Sequence, residues 1–511
     1  MHTHLLADLR SDLAAASFRV DTLRELWGPA ADAALGRGDR VPAARALESR
    51  SDPAAVLARL FVLGLDAGAD EVAAALPRLG LDGALDAGLL GAREDHYRAT
   101  LDLRPYDVID ARGTAWWWLA SDLGEIATGA ALRPDHVLGV GGASSTLAGL
   151  QLPGRVGRAL DLGTGSGIQA LHLAREAEEV VATDISTRAL EFAAMTAGLN
   201  EVALDLRLGS LFEPVAGERF DRIVSNPPFV ITPRRVGVPE YEYRDGGRVG
   251  DALLAEVIAG LPEHLAPGGV AQLLGNWEYG TRDGLERAAE WAEDAGLEYW
   301  LIERETQDPA AYAETWIRDG GTRPGHPDYE HLVGAWLDDF DARGVTAIGF
   351  GYLLLRAPRA RGGTDGDARP MARTERLDAT LGDAAASLGG HLAEALAAHD
   401  TLATLDDDAL AQRHLAVAPD VTEERHYWPG DEHPTVMTLR QGGGFRREFR
   451  VGTALAAVVG ACDGELSLGS ILVAVAALLE VDEQALRAEI LPEVRELILG
   501  GLLRIPASDI S

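Results

Sequence analysis

RALDLGTGSG at Arg158–Gly167, VVATDIS at Val180–Ser186 and FDRIVSNPPF at Phe220–Phe229 decide how this chain is read. The first stretch is an apolar run that ends in a glycine turn and opens a helix. Its spacing is GxGxG across Gly163, Gly165 and Gly167, and Ile168 stands where the dinucleotide pattern GxGxxG needs its third glycine. Glycines there permit a tight turn and let a ligand approach the backbone. The leading acid, Asp161, suits a ligand with a positive amino group and no pyrophosphate. About twenty residues on, Asp184 closes a second strand, where a carboxylate can accept both hydroxyls of a ribose.

The third stretch adds chemistry. Consecutive prolines at Pro227 and Pro228 stop a strand and stiffen the backbone. The Asn226 side-chain oxygen and a proline carbonyl can then accept two hydrogen bonds from one planar NH2 group, while the ring of Phe229 stacks on its plane. This holds a poor nucleophile, an amide or an exocyclic amine, in line with an electrophile.

From about Gly157 to Trp277 the chain resembles the class I methyltransferases of the HemK-type glutamine-N5 group, and their relatives that methylate adenine or guanine amines in RNA and DNA. The resemblance rests on DLGTGSG, on ATDIS followed by Arg188–Leu190, on GSLFEPVAGERFD at Gly209–Asp221, on SNPPF, and on LAPGGV at Leu265–Val270. It covers about a quarter of the chain, and a helical segment ahead of such a core is similar to the HemK-type layout. It implies S-adenosyl-L-methionine as cofactor. Asp161, Gly163, Thr164, Gly165 and Gly167 would wrap its methionine part, Asp184 with Ile185 would hold the ribose, and Ser210 and Leu211 would meet the adenine. Asn226, Pro227 and Phe229 would receive the substrate nitrogen, with Asn226 also beside the cofactor. Three departures leave the methyl acceptor open. Ser210 replaces the usual adenine-contacting acid, Phe229 replaces the common Tyr, and DHVLGVGGASS at Asp135–Ser145 replaces the PRPET-like segment.

Strands alternate with helices after Gly157, which predicts a largely parallel sheet. The strands are expected at Arg158–Leu162, Glu179–Thr183, Leu204–Leu208, Phe220–Ser225, Gly269–Leu274, Glu298–Ile302 and Thr346–Leu355, the last one antiparallel. Helices are expected near Gly167–Arg175, Thr187–Leu199, Asp251–Leu261 and Arg282–Ala295. The fold class is α/β. A Rossmann-like seven-stranded methyltransferase core at 105–358 follows a helical N-terminal domain at 1–104 and precedes a winged-helix-like C-terminal domain at 374–511. The linker is RGGTDGDARPMAR at Arg361–Arg373. In the last domain, Arg446, Arg447 and Arg450 fall on a hairpin around a glycine triplet, the expected wing.

Composition narrows the partners. The 511 residues carry a formal charge of −34, and every one of the 46 basic residues is Arg. That balance disfavours duplex DNA, because phosphate binding needs dense positive charge. A local patch of Arg234, Arg235, Arg244 and Arg248 in the loop Ile231–Asp251 leaves an RNA or an acidic protein open, beside the plain alternative of a solvated loop paired with its own acids. Cys462 is the only cysteine, and no histidine shows zinc-site spacing, so no catalytic metal is expected. No apolar run approaches the roughly 20 residues of a membrane span, and a cytoplasmic location is expected. Trp116, Trp117 and Trp118 cannot all face one core from a strand. Trp277, after Asn276, either walls the acceptor pocket or packs in the core. GVGGASS at Gly139–Ser145 lacks a P-loop lysine and is expected as a tight loop near the cofactor.

The expected function is N-methylation of a planar nitrogen, on a protein glutamine amide or an RNA base. Small-molecule N- or O-methylation in secondary metabolism, and an idle cofactor-binding regulatory protein, are the alternatives.

Overall fold

The computed structural model describes residues 3–110, 112–128, 132–359, 370–381 and 388–506. These fall into two compact units, Met1–Ala148 with Gly154–Ala357, and Gly149–Pro153 with Pro358–Ser511.

The first unit begins with helices from Thr3–Ala15 to Gly80–Asp86. Leu9, Leu13, Phe18 and Leu47 are fully buried in their core, which also takes in Phe192 and Leu199 from the helix Thr187–Leu199. Buried Asp12 ties the helices together, accepting from the backbone N–H groups of Arg78 and Leu79 at 3.1 and 2.9 Å. The expectation of helix throughout 1–104 is corrected beyond Asp86. There a hairpin forms from β1 (Leu90–Arg93) and β2 (His96–Ala99), followed by an antiparallel ribbon of β3 (Asp102–Asp110) and β4 (Gly113–Ser121). Four-residue strands are too short to show a period, so sequence patterning misses them.

The ribbon explains the three tryptophans. Trp116 and Trp118 share a face of β4 and meet edge-to-face at 5.0 Å, while Trp117 on the other face lies parallel to Tyr106 at 6.0 Å. Trp118 is buried and donates to the Phe18 carbonyl at 2.8 Å. Trp116 is the exposed member, covered by the Arg19 guanidinium 3.7 Å from its ring centre.

The central sheet takes seven strands from this unit: β5 (Val156–Leu162), β6 (Ala177–Asp184), β7 (Asp205–Leu208), β8 (Phe220–Ser225), β9 (Leu265–Tyr279), β10 (Glu298–Gln307) and β11 (Ala347–Arg356). Their spatial order is β10-β11-β9-β8-β5-β6-β7. β11 is antiparallel to both its neighbours, and β5 through β9 are parallel. The chain therefore leaves β5 in one direction and returns to β8 on its other side. At such a reversal the loops beyond the carboxyl ends of the two strands separate and leave a crevice. Leu160 pairs with Ile223, and Ser225 Oγ donates to the Leu162 carbonyl at 2.7 Å, which pins the two strand ends at the mouth of that crevice.

Two helices, Pro309–Asp319 and Tyr329–Arg343, are inserted between β10 and β11. Asp308 caps the first by accepting from Ala310 and Ala311 N–H groups, with Pro309 at the first helical position. Tyr312, Trp336 and Phe340 from this pair form a separate core with Val230, Ile231 and Val238 from the loop after β8.

The second unit holds helices Leu388–Ala403, Thr453–Gly460, Leu468–Leu479 and Glu483–Leu499. A short strand, Asp463–Ser467, follows the second of these and another, Leu503–Arg504, follows the last, both antiparallel to His414–Val417. The hairpin expected as a wing forms, but Val436–Gln441 and Glu448–Arg450 belong to a different sheet, with Val421–His426. Its arginines do not share a face. Arg447 is buried against Glu375, to which it donates at 2.6 Å. Residues 382–387, just before the helix Leu388–Ala403, and most of the linker Arg361–Arg373 lie outside the described residues.

Candidate active site

The glycine loop follows β5. Gly163 and Thr164 donate to the Thr183 carbonyl at 2.9 Å each, which folds the loop back over β6. Gly163, Gly165 and Gly167 all have positive φ, at 79°, 54° and 90°. A side chain at Gly165 would meet nothing within 4 Å, whereas one at Gly167 would press on Ala193 at 3.3 Å. So Gly165 faces open space for a ligand, and Gly167 lets the helix start close against Thr187–Leu199.

Asp161 is fully buried beneath this loop. One carboxylate oxygen, Oδ2, accepts from Thr164 Oγ1 at 2.6 Å and from Ala170 N at 2.9 Å. The other, Oδ1, has no hydrogen-bond partner among the described residues. Burial, with the charge of Asp184 adding to it, pushes the carboxyl up to about 7 against the pull of those two bonds. Asp184, at the end of β6, accepts from Gly165 N and Ser186 N at 2.9 Å each. Burial raises its carboxyl as well.

Beside Asp184 stand two apolar side chains that the fold leaves open, Ile185 at 68% and Leu208 at 57% exposure. Asp184 and Leu208 are register partners on β6 and β7, so both apolar groups sit at the same sheet edge. Sequence reading named Ile185 and missed Leu208, whose exposure only the strand pairing reveals. Ser210 comes close behind, its N–H 3.4 Å from Glu213. Leu211, with φ of 46°, packs against the sheet core.

Across the crevice, Asn226–Phe229 follows β8. Asn226 Oδ1 is shielded from solvent and has no partner among the described residues. Pro227 is buried. The Phe229 ring lies against Phe350 at 5.6 Å and Trp316 at 6.3 Å, and its backbone bridges to Asp245. The loop beyond is tightly built. Val230 donates to the Arg244 carbonyl at 2.9 Å, and Asp245 accepts from Tyr241 N at 2.5 Å and from Thr232 Oγ1. Arg244 is buried between the Tyr241 ring and the inserted helix, donating to the Trp316 carbonyl at 2.7 Å and to Asp319 at 2.8 Å. Arg234, Arg235 and Arg248 pair with Glu240, Asp338 and Glu256 at 2.9, 3.2 and 2.7 Å. All four arginines thus engage acids of this chain, but the loop is not a solvated one, since Ile231, Val238, Tyr241 and Arg244 are buried.

A pocket opens beside this turn, lined by Pro228, Phe229, Val230, Gly246, Arg248, Gly250, Asp251, Leu253, Leu254 and Asn276. Asn276 is 2% exposed and hydrogen-bonds Tyr312 Oη through Nδ2 at 2.6 Å. Trp277 points the other way. It is fully buried and donates to Glu303 at 2.7 Å, so it packs in the core. The GVGGASS segment is only half a loop, since Gly142–Leu150 is helical, with the Ser144 carbonyl taking a bond from Gln169 at 2.8 Å. Among the described residues no three His, Cys, Asp or Glu side chains gather in a metal-holding group, and no helix is long and apolar enough to cross a membrane.

Comparison with known proteins places this site in context. Residues 142–295 match the family profile "Methyltransferase small domain". Residues 15–100 and 394–505 match two domains of unknown function, DUF7059 and DUF7782. The release factor glutamine methyltransferase of Xylella fastidiosa is 42% identical over 135 residues, 24% of this chain and 48% of that protein. A putative protein N5-glutamine methyltransferase of Methanocaldococcus jannaschii is 33% identical over 131 residues, 25% of this chain and 66% of its own. The ribosomal protein uL3 glutamine methyltransferase of Bordetella pertussis is 39% identical over 133 residues, 24% of this chain and 44% of its own. The chain spans about half the length of most of these curated relatives.

Proposed function

Residues 142–295 being a class I methyltransferase domain of the HemK type, we propose that the chain transfers a methyl group from S-adenosylmethionine to the side-chain amide nitrogen of a protein glutamine. The observation that carries the reading is a pair of shielded oxygens without partners among the described residues, Asp161 Oδ1 and Asn226 Oδ1. Asp161 lies near the carboxyl end of β5 and Asn226 directly follows β8, the two strands that flank the sheet reversal.

The residues present fit the cofactor. Asp161 Oδ1 is placed to take its ammonium group, and Gly165 leaves room for the chain behind it. Asp184 keeps lone pairs beyond its two backbone bonds for the ribose hydroxyls. Ile185 and Leu208 offer apolar faces to the adenine. When bound, S-adenosylmethionine supplies a methyl group activated by a positive sulfonium. Asn226 Oδ1 and the Pro227 carbonyl accept the two N–H bonds of the acceptor amide, and Phe229 lies against its plane. Those bonds orient the nitrogen and stabilise the positive charge it gains. Alignment and charge stabilisation of this kind contribute on the order of several kcal/mol. The proton leaves late, to these oxygens or to water, so no strong base is needed.

Two observations favour a protein acceptor over an RNA base. The relatives are named for glutamine side chains. The loop arginines that could hold phosphate are engaged with acids. The test is transfer of labelled methyl from S-adenosylmethionine into a cell lysate separated into protein, RNA and small-molecule fractions. Label in protein that appears as N5-methylglutamine on hydrolysis is the expected result, and label confined to RNA or to small molecules overturns the reading.

A further inference from the structure

We propose that Asn276 contacts the methyl acceptor, donating a hydrogen bond from its carboxamide to the acceptor's amide carbonyl, with Tyr312 as the positioning residue behind it. This rests on the amide-acceptor reading above. An amide bound by Asn226 and Pro227 has both N–H bonds satisfied and its carbonyl oxygen still unpaired. A buried acceptor left so costs about 1–3 kcal/mol. The pocket beside Phe229 must therefore supply a donor, and Asn276 is the uncharged side chain in its lining that can.

Asn276 is 2% exposed, yet one end of its amide, Oδ1, has no partner among the described residues. The other end touches Tyr312 Oη at 2.6 Å. That hydroxyl is itself fully buried and already accepts from Ile231 N at 3.1 Å. Its own proton needs an acceptor. A half-turn of the Asn276 amide provides one, because Oδ1 then receives the Tyr312 proton across a separation typical of O–H···O bonds. The same half-turn presents the NH2 end to the pocket. Ile231 is two residues beyond Phe229, so Tyr312 links the donor to the turn that holds the nitrogen. A buried polar residue that lines a pocket from a rigid strand and keeps one end unpaired is the arrangement that binding sites use.

The experiment follows two probes by saturation-transfer NMR on the full chain saturated with S-adenosylhomocysteine. One is N-acetylglutamine methylamide. The other is the matching 5-oxonorleucine derivative, which keeps the carbonyl and replaces NH2 by methyl. Both probes are expected to bind the wild type. Asn276→Asp keeps an acceptor for the Tyr312 proton but cannot donate, and it should weaken both probes at least about 10-fold. S-adenosylhomocysteine affinity should stay within about twofold, showing that the variant is folded. Tyr312→Phe releases the amide and should weaken both probes several-fold, which decides the matter if the aspartate variant does not fold. Asn226→Ala should cost the amide probe alone its advantage. Retention of both probes by Asn276→Asp or Tyr312→Phe overturns this proposal only. Failure of both probes on the wild type overturns the amide-acceptor reading and this proposal together.

Discussion

Asp161 makes the sharpest prediction at the scale of one residue. Its carboxyl ordinarily titrates at 3.8 and sits at about 7 in the folded protein, because burial disfavours the charge. A raised folded value contributes stability that is fully present below 3.8 and is lost as pH rises to about 7. Compared with Asp161→Asn, the ligand-free wild type should therefore lose thermal stability across that window as pH rises, read as the difference between the two melting curves. An ammonium ligand needs the ionised form, so binding below pH 7 must first expel a proton. Affinity for S-adenosylhomocysteine, which carries the same ammonium, should rise toward a limit of about tenfold per pH unit until pH 7 and then level. Calorimetry in buffers of different ionisation enthalpy would read the proton release directly. Asn226 makes the complementary prediction. Asn226→Ala should abolish methyl transfer with S-adenosylmethionine affinity changed by no more than a few-fold, measured by calorimetry. Asp184→Ala should weaken that affinity first. Asp161, Asp184, Asn226 and Phe229 were named from the sequence because the two acids close apolar strands and the other two flank a rigid pair of prolines, so that residue type and backbone constraint point to the same chemistry. Leu208, Asn276 and Tyr312 carried no such signal. Their exposure or burial depends on partners that lie far away in sequence.

Among the elements, the loop after β8 and the helix Pro309–Asp319 hold the acceptor side together, and Arg244 joins them. Its guanidinium donates to Trp316 and Asp319 and stacks on Tyr241. Arg244→Met should free the helix end at a local cost of about 2–3 kcal/mol, the range for hydrogen bonds made by charged groups. Hydrogen exchange over 309–319 should quicken, and turnover should fall while S-adenosylmethionine affinity holds. Unchanged exchange would deny the loop its anchor. The strands of the sheet were readable from their apolar runs, and all seven formed where expected. The hairpins of β1 to β4 were not, since short strands and a ribbon half open to solvent leave no clean period. The Gly442–Gly444 hairpin was read correctly as an element, whereas its sheet partner, Val421–His426, was not.

At the scale of the whole molecule, a formal charge of −34 surrounds a site whose nearby arginines are internally paired. That suits an acceptor recruited by shape and local hydrogen bonding more than by long-range attraction to phosphate. Deleting residues 374–511 should leave a folded remainder that binds S-adenosylmethionine as the full chain does. An insoluble or non-binding remainder would refute a boundary at the linker. The order of strands, the glycine turn and the Asn226–Phe229 motif were determined by local sequence, because each requires only a residue type at a backbone position with few alternatives. What lies opposite what was decided by the tertiary structure alone. The return of the chain to β8 beside β5 sets the two motif loops across one crevice. The insertion before β11 brings Tyr312 to Asn276. The pairing of β6 with β7 bares Leu208 beside Ile185. Such contacts join residues far apart in sequence, and their energy comes from burial and register, quantities that no single stretch of chain contains.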